Sequence, residues 1–176
     1  PISVCDGDGE TLALVYKVVG QGTEKMTALK AGETLDVLTG LGNGYDLSKA
    51  GEQPVLLGGG VGIPPLYGLA KRLKAPGKSF RVVLGFNAEK EIFMEEDFRK
   101  LTGDTVVTTV DGSYGVKGFV TDALPEGYTY FYTCGPLPML KAVSRVTKTG
   151  GQLSMEERMG CGFGACMGCT VKTANG

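Results

Sequence analysis

Residues 54–65 read Pro54-Val55-Leu56-Leu57-Gly58-Gly59-Gly60-Val61-Gly62-Ile63-Pro64-Pro65. An apolar run with no polar alternation suits a strand buried on both faces, as in a parallel sheet. Glycines follow at once, then two prolines, whose missing N–H groups cost little in the first turn of a helix. Leu66, Leu69, Ala70 and Leu73 continue at helical spacing. Strand, glycine turn and helix in direct succession form the unit of a doubly wound sheet, and the turn's N–H groups with the helix dipole favour an anion. The run departs from G-x-G-x-x-G: Gly58 and Gly60 fit, but Ile63 stands at the third glycine position. A tight turn without a ligand is the competing reading. Gly59, Gly60 and Gly62 are the candidate dinucleotide-binding residues.

Downstream, the pattern repeats. Phe80–Phe86 and Thr105–Val110 read as second and third strands, Glu91–Leu101 as an amphipathic helix, and Phe119–Leu124 as a short helix. Tyr128–Thr133 is the fourth strand and Leu137–Val146 the helix after it, before Gly150-Gly151 releases the chain. This alternation predicts a parallel sheet with helices on both faces. Loops at the carboxyl ends of such strands line the ligand crevice. Cys134 and Gly135 lie in one of them, where the thiol is either an apolar contact for a nicotinamide ring or a buried cysteine with no such role. Asp111-Gly112-Ser113-Tyr114-Gly115 lies on the same edge, and a plain Asx-type turn accounts for it as well. Asn87 and Glu89, with no Arg or Lys directly after the second strand, favour NADH over NADPH.

Upstream, the character is antiparallel β. Pro1–Val4 reads as a strand edge, Glu10–Val19 as a strand, Thr23 as the N-cap of a helix over Glu24–Leu29, and Leu35–Leu38 as a half-buried strand. The first fifty residues are too few for an independent barrel, so the chain enters a β domain part-way.

The last stretch carries the sharpest motif. Cys161, Cys166 and Cys169 stand at C-x4-C-x2-C spacing among glycines, the first part of the plant-type [2Fe–2S] ligand pattern. Crowded thiolates repel one another unless a cation neutralises them. A zinc knuckle and unligated thiols are the alternatives, though zinc sites more often pair two C-x2-C units or add His.

Composition narrows the classes. The 176 residues are 42% hydrophobic, carry a net charge of −1, and include five cysteines and no histidine. Nucleic acid is not expected as the main partner. No apolar segment approaches the roughly 18 residues of a membrane span. The absence of histidine removes a Ser–His–Asp triad and His ligation. Clustered, odd-numbered cysteines point to a reducing compartment, hence a cytoplasmic protein.

In order, Pro1-Ile2-Ser3, Val15-Tyr16-Lys17, Gly22-Thr23, the glycine run, Cys134-Gly135-Pro136 and the cysteine tail resemble ferredoxin–NADP reductase-like flavoproteins. The tail Ser154-Met155-Glu156-Glu157-Arg158-Met159-Gly160-Cys161-Gly162 is similar to that of the electron transfer subunits of NAD-dependent dihydroorotate dehydrogenase B. The resemblance implies an α/β plus β fold. Residues 1–50 would be part of a split, FAD-binding β-barrel, 51–151 a doubly wound NAD-binding domain, and 152–176 an iron–sulfur segment. It implies that Pro1, Ile2, Ser3, Val15, Tyr16 and Lys17 flank FAD and that Gly22 and Thr23 bind its pyrophosphate. Cys161, Cys166 and Cys169 would ligate the cluster, with an arginine expected before Pro1 and a fourth cysteine after Gly176. The implied activity is electron transfer between NADH, FAD, the [2Fe–2S] cluster and an FMN-containing catalytic subunit that oxidises dihydroorotate, within a hetero-oligomer of pyrimidine biosynthesis. A reductase serving a ferredoxin, sulfide or hydrogenase system, and a cofactor-free binding domain, are the rival expectations.

Overall fold

The computed structural model describes residues 2–155 and 159–171; Pro1 and the segments 156–158 and 172–176 lie outside the described residues. The elements in chain order are β1 (Val4–Gly7), β2 (Leu12–Leu14), α1 (Gln21–Thr27), β3 (Pro54–Gly59), α2 (Ile63–Lys74), β4 (Arg81–Phe86), α3 (Glu95–Leu101), β5 (Thr105–Thr109), β6 (Val116–Lys117), β7 (Tyr130–Cys134), α4 (Leu137–Val146) and β8 (Gly151–Ser154).

Residues 3–15 and 45–156 make one compact unit. Its six-stranded sheet has the order β6-β5-β4-β3-β7-β8, and every pair in it is parallel. The chain builds outward from β3 to β6, then returns to the other side of β3. The order therefore reverses between β3 and β7. Both faces are covered, as a parallel sheet requires. Leu56, Val82, Leu84 and Val107 pack with Ile63, Leu66, Leu69, Leu73 and Phe98 of the helices α2 and α3 on one face. On the other, Val55, Leu57, Val83 and Phe131 pack with Val120 and Val143 of α4. Burying each such Val, Leu or Ile side chain contributes roughly 1.5–3 kcal/mol.

The hairpin β1–β2 joins this unit through α2. A side chain at Gly68 would meet the Cys5 carbonyl oxygen at 2.9 Å, so only glycine lets the strand lie this close. Lys71 and Asp6 add an ion pair at 2.6 Å.

The turn after β3 is pinned in the same way. A Cβ on Gly62 would overlap the main-chain carbonyl of Cys134, although Gly62 itself has an ordinary helical φ of −79°. Thr133 donates its hydroxyl to the Leu57 carbonyl at 2.9 Å, tying β7 to β3 just below that contact.

The four long strands and α4 lie where the hydrophobic pattern puts them, within two residues at each end. Other expectations are corrected. The strand expected over 10–19 narrows to Leu12–Leu14, and no strand forms over 35–38. Alternation alone does not make a strand without a neighbour to complete its ladder, and Leu38 is 69% exposed. The first strand is Val4–Gly7 rather than 1–4. The helix expected over 91–101 begins at Glu95, because Met94 takes a left-handed φ of 61° and Glu89–Glu91 forms a 3-10 turn. Residues 119–124 tighten to a 3-10 turn over Val120–Ala123. Gly150-Gly151 does not release the chain: Gly151–Ser154 becomes β8, paired to β7.

The other unit comprises residues 1–2, 16–44 and 157–176. Its regular element is α1, and among its described residues none is buried. Thr23 is not the N-cap: Gly20 is. Thr23 sits in the first turn, where its hydroxyl accepts from the N–H of Val19 at 3.0 Å and of Gly20 at 3.2 Å.

Two measurements check this architecture. Gly62→Ala should lose about 1–3 kcal/mol in denaturant unfolding, since main chain cannot rotate away. Gly103→Ala, with open space around it, should stay within about 0.5 kcal/mol of the parent; equal stabilities for the two variants would refute the close approach. In the β1–β2 turn, Asp8 accepts from the Thr11 N–H at 2.7 Å, the Thr11 hydroxyl at 2.8 Å and the Glu10 N–H at 3.0 Å. These bonds, Thr11's first, hold its carboxyl at about 2, below the usual 3.8. A depressed carboxyl stabilises the fold above its unfolded value, and that contribution is lost as pH falls through about 2. Side-chain NMR titration should show this, with Thr11→Val moving the midpoint up; a midpoint near 4 in the unaltered protein would contradict the turn geometry.

Candidate functional site

In an open parallel sheet, ligands bind outside the carboxyl ends of the strands where the order reverses. Here that point lies between β3 and β7. In their register Gly58 faces Cys134, so the glycine turn and the Cys134-Gly135 bend leave the sheet side by side. A Cβ on Gly135 would come within 2.9 Å of the Met139 sulfur and 3.2 Å of the Gly59 nitrogen. One on Gly59 would overlap that same sulfur. Gly59, Gly60, Gly62, Cys134 and Gly135 are thus brought together, and two backbones run past each other with Met139 beneath.

Gly60 supplies the bend, with a φ of +51° that side-chain-bearing residues adopt only at a cost. The helix that follows opens with Pro64 and Pro65, which have no N–H to offer. The Ile63 N–H already bonds the Gly60 carbonyl. Ahead of the prolines, the turn's main-chain N–H groups are those of Gly60, Val61 and Gly62. Sequence reasoning missed Met139 and Tyr45. Tyr45 donates its hydroxyl to the Thr133 carbonyl at 2.8 Å, and burial first, with Cys134 nearby, pushes its phenol well above the ordinary range. Its ring meets Tyr132 edge-on at 5.4 Å. An isolated tyrosine after a glycine loop carries no periodic signal, so nothing in the pattern marked it.

Further along the same edge, the loops after β4 and β5 are tied together. The Glu89 N–H donates to the Ser113 hydroxyl at 2.8 Å, and the Asp111 N–H to the Asn87 carbonyl at 3.1 Å. Asp111 makes the expected Asx turn, accepting from the Ser113 hydroxyl at 2.6 Å and N–H at 2.9 Å. These bonds, the hydroxyl's first, hold its carboxyl below the ordinary range.

Of the residues implied for FAD, Ser3 and Val15 flank the paired ends of β1 and β2, where Val4 faces Leu14. Tyr16 and Lys17 follow directly in the chain. Gly22 lies in the first turn of α1 with nothing within 4 Å of where its Cβ would be. That open position fits the approach of a phosphate, while the Thr23 hydroxyl is engaged by its own backbone.

The cysteine segment is a tight loop, with left-handed φ values of 74° at Gly162, 87° at Gly164 and 57° at Met167. Such turns aim successive N–H groups inward. The N–H groups of Cys166 and Phe163, then the Cys166 thiol and the Ala165 N–H, bring the Cys161 thiol down to about 6. The Cys166 sulfur lies 3.5 Å from where a Cβ would stand on Gly160 and on Gly168. Among the described residues no three His, Cys, Asp or Glu side chains converge on a single metal ion. A two-iron cluster instead shares four thiolates between its irons, and thiolates favoured by backbone N–H groups fit that donor set.

The Oxidoreductase NAD-binding domain family matches residues 56–145. The iron-sulfur cluster binding domain of dihydroorotate dehydrogenase B matches residues 156–176. The dihydroorotate dehydrogenase B (NAD(+)) electron transfer subunit of Fusobacterium nucleatum is 46% identical, over 98% of this chain and 70% of its own. That of Bacillus pumilus is 45% identical over the same shares. Among solved structures, an NADH-dependent reduced ferredoxin-NADP oxidoreductase matches with a TM-score of 0.83 and 34% identity, over 96% of this chain and 64% of that one. An Amycolatopsis cytochrome P450 reductase shares the fold, with a TM-score of 0.65 and 24% identity over 82% of this chain and 50% of that one. On these matches, the chain belongs to the family of dihydroorotate dehydrogenase B (NAD(+)) electron transfer subunits.

Proposed function

We propose that this chain carries electrons between NADH and a catalytic subunit that oxidises dihydroorotate to orotate. The observation that carries the reading is that one chain holds both a dinucleotide crevice and a thiolate loop suited to iron. When bound, FAD and a [2Fe–2S] cluster supply the chemistry, accepting a hydride and dividing it into single electrons. The protein's own residues bind and orient. Gly60, Val61 and Gly62 present N–H groups to the NADH pyrophosphate, and Gly59 and Gly135 leave room for Met139 beneath the crevice. Cys134 borders the nicotinamide end. Ser3, Val15, Tyr16 and Lys17 line the flavin edge, Gly22 and Thr23 its pyrophosphate, and Cys161, Cys166 and Cys169 give three cluster ligands. No side-chain acid or base is assigned, because hydride transfer needs none. The partner is an FMN-containing subunit in a hetero-oligomer, and the setting is cytoplasmic; no helix among the described residues is long and apolar enough to cross a membrane.

A ferredoxin-linked reductase is the second reading, favoured by the structural likeness at a TM-score of 0.83. Mixing the full-length protein with a dihydroorotate-oxidising subunit separates the two: NAD-linked dihydroorotate turnover supports the first, and turnover with ferredoxin alone the second. An anaerobic spectrum with iron and sulfide analysis, before and after NADH, tests what they share, and a protein free of flavin and iron would sink both. Cys161→Ala in the full-length protein should abolish bound iron and transfer to the catalytic subunit, while NADH still bleaches the flavin. Full iron content in that variant would remove Cys161 from the ligand set.

A further inference from the structure

The end of β7 carries Cys134 to the crevice, and it is held from three directions. Toward β3, the Thr133 hydroxyl bonds the Leu57 carbonyl and the Cys134 carbonyl lies against Gly62. On the opposite side β8 runs parallel and stops at Ser154, directly beside Cys134. The third hold is Tyr45, where the chain re-enters this unit. Its half-buried ring packs against the same apolar layer as Cys134, and its hydroxyl donates to the Thr133 carbonyl at 2.8 Å. That carbonyl shares a peptide plane with the Cys134 N–H, so the bond acts on the group from which the thiol departs. Tyr45 is itself fixed through the next residue. The Asp46 N–H donates to the Gln152 side-chain oxygen at 2.9 Å, and the Gln152 amide nitrogen donates back to the Asp46 carbonyl at 3.0 Å. The Tyr132 hydroxyl donates to that carbonyl at 2.8 Å. Residues 43–46 form neither helix nor strand, yet both backbone groups of Asp46 are bonded to β7 and β8.

We propose that Tyr45 is a positioning residue for hydride transfer: its hydroxyl, bonded to the Thr133 carbonyl, fixes the peptide that presents Cys134 to the nicotinamide. The proposal rests on the assignment of Cys134 to the nicotinamide end and adds the group that aims it. A phenylalanine ring would fill the same space, so it is the hydroxyl's bond and not the ring's volume that sets the peptide. Burial pushes the phenol well above its ordinary range, so it stays protonated and keeps donating across the pH range in which the protein works. The Asp46–Gln152 pair holds the donor where it is needed. Precision matters here because hydride donor and acceptor must meet almost in contact, and a misplacement of about 1 Å costs on the order of a hundredfold in rate.

Stopped-flow bleaching of the flavin by NADH, in the full-length protein, separates the rate of hydride transfer from the affinity for NADH. Tyr45→Phe keeps the ring and removes the hydroxyl. It should slow the saturating rate by about fivefold or more while the NADH dissociation constant stays within about twofold of the parent. Gln152→Met, which frees Asp46, should slow transfer in the same direction by less. Tyr130→Phe loses only a bond from the Gln152 amide at 3.2 Å and should match the parent. Alkylation of Cys134 by iodoacetamide, followed by peptide mass spectrometry, reads the same geometry without turnover. Tyr45→Phe should speed it by about threefold to tenfold, as expected for the loss of one hydrogen bond, and NAD+ should protect Cys134 better in the parent than in the variant. A Tyr45→Phe protein whose transfer and alkylation rates both stay within about twofold of the parent overturns the proposal, and so does one in which only the NADH affinity changes. Should Tyr45→Phe not fold, Gln152→Met decides by the same two readings. Protection of Cys134 by NAD+ that is equal in parent and variant overturns the proposal alone. A parent whose Cys134 is not protected at all overturns the nicotinamide assignment, and this proposal with it.

Discussion

The passage of the Gly62 main chain against the Cys134 carbonyl is the constraint on which the parallel-sheet unit depends. It sets the distance between the turn after β3 and the end of β7, and so the width of the crevice at the point where the strand order reverses. No side chain of any size fits there. The contact also fixes the start of α2, because Ile63 follows directly, and with it the row Ile63, Leu66, Ala70 and Leu73 that covers one face of the sheet. Met139 then fills the floor from α4 on the opposite face. A local choice of glycine thus positions both helical layers at once.

How much of this was legible depends on what kind of signal each element carries. The buried strands and α2 announce themselves through uninterrupted apolar runs and helical spacing, since burial on both faces leaves no room for polar residues. The short edge strands do not. Val116–Lys117 and Gly151–Ser154 owe their conformation to a neighbour's free ladder, which is a tertiary fact. The same holds in reverse for residues 35–38, which alternate but have no partner. Helix starts fail for a different reason: Met94 in the left-handed region and Glu91 folded onto Asn87 are side-chain and backbone events that propensity does not encode. Of the site, the glycines and cysteines were readable because their spacing follows from chemistry. Met139 and Tyr45 were not, since each acts by filling a space that exists only once β3 and β7 are paired.

The glycine content, 29 of 176 residues, has a common physical purpose at both chemical features. At the end of β3, two prolines strip the helix of its first donors, so the donors left there are main-chain N–H groups of the turn. In the cysteine loop, left-handed glycines aim N–H groups at the Cys161 sulfur and favour its thiolate. The chain's net charge of −1 records no surplus of lysine and arginine, and it has no histidine. A fixed N–H group carries a partial charge that does not titrate and needs no side-chain ordering. It therefore holds an anionic cofactor or a thiolate without the entropy cost of fixing a long cationic side chain.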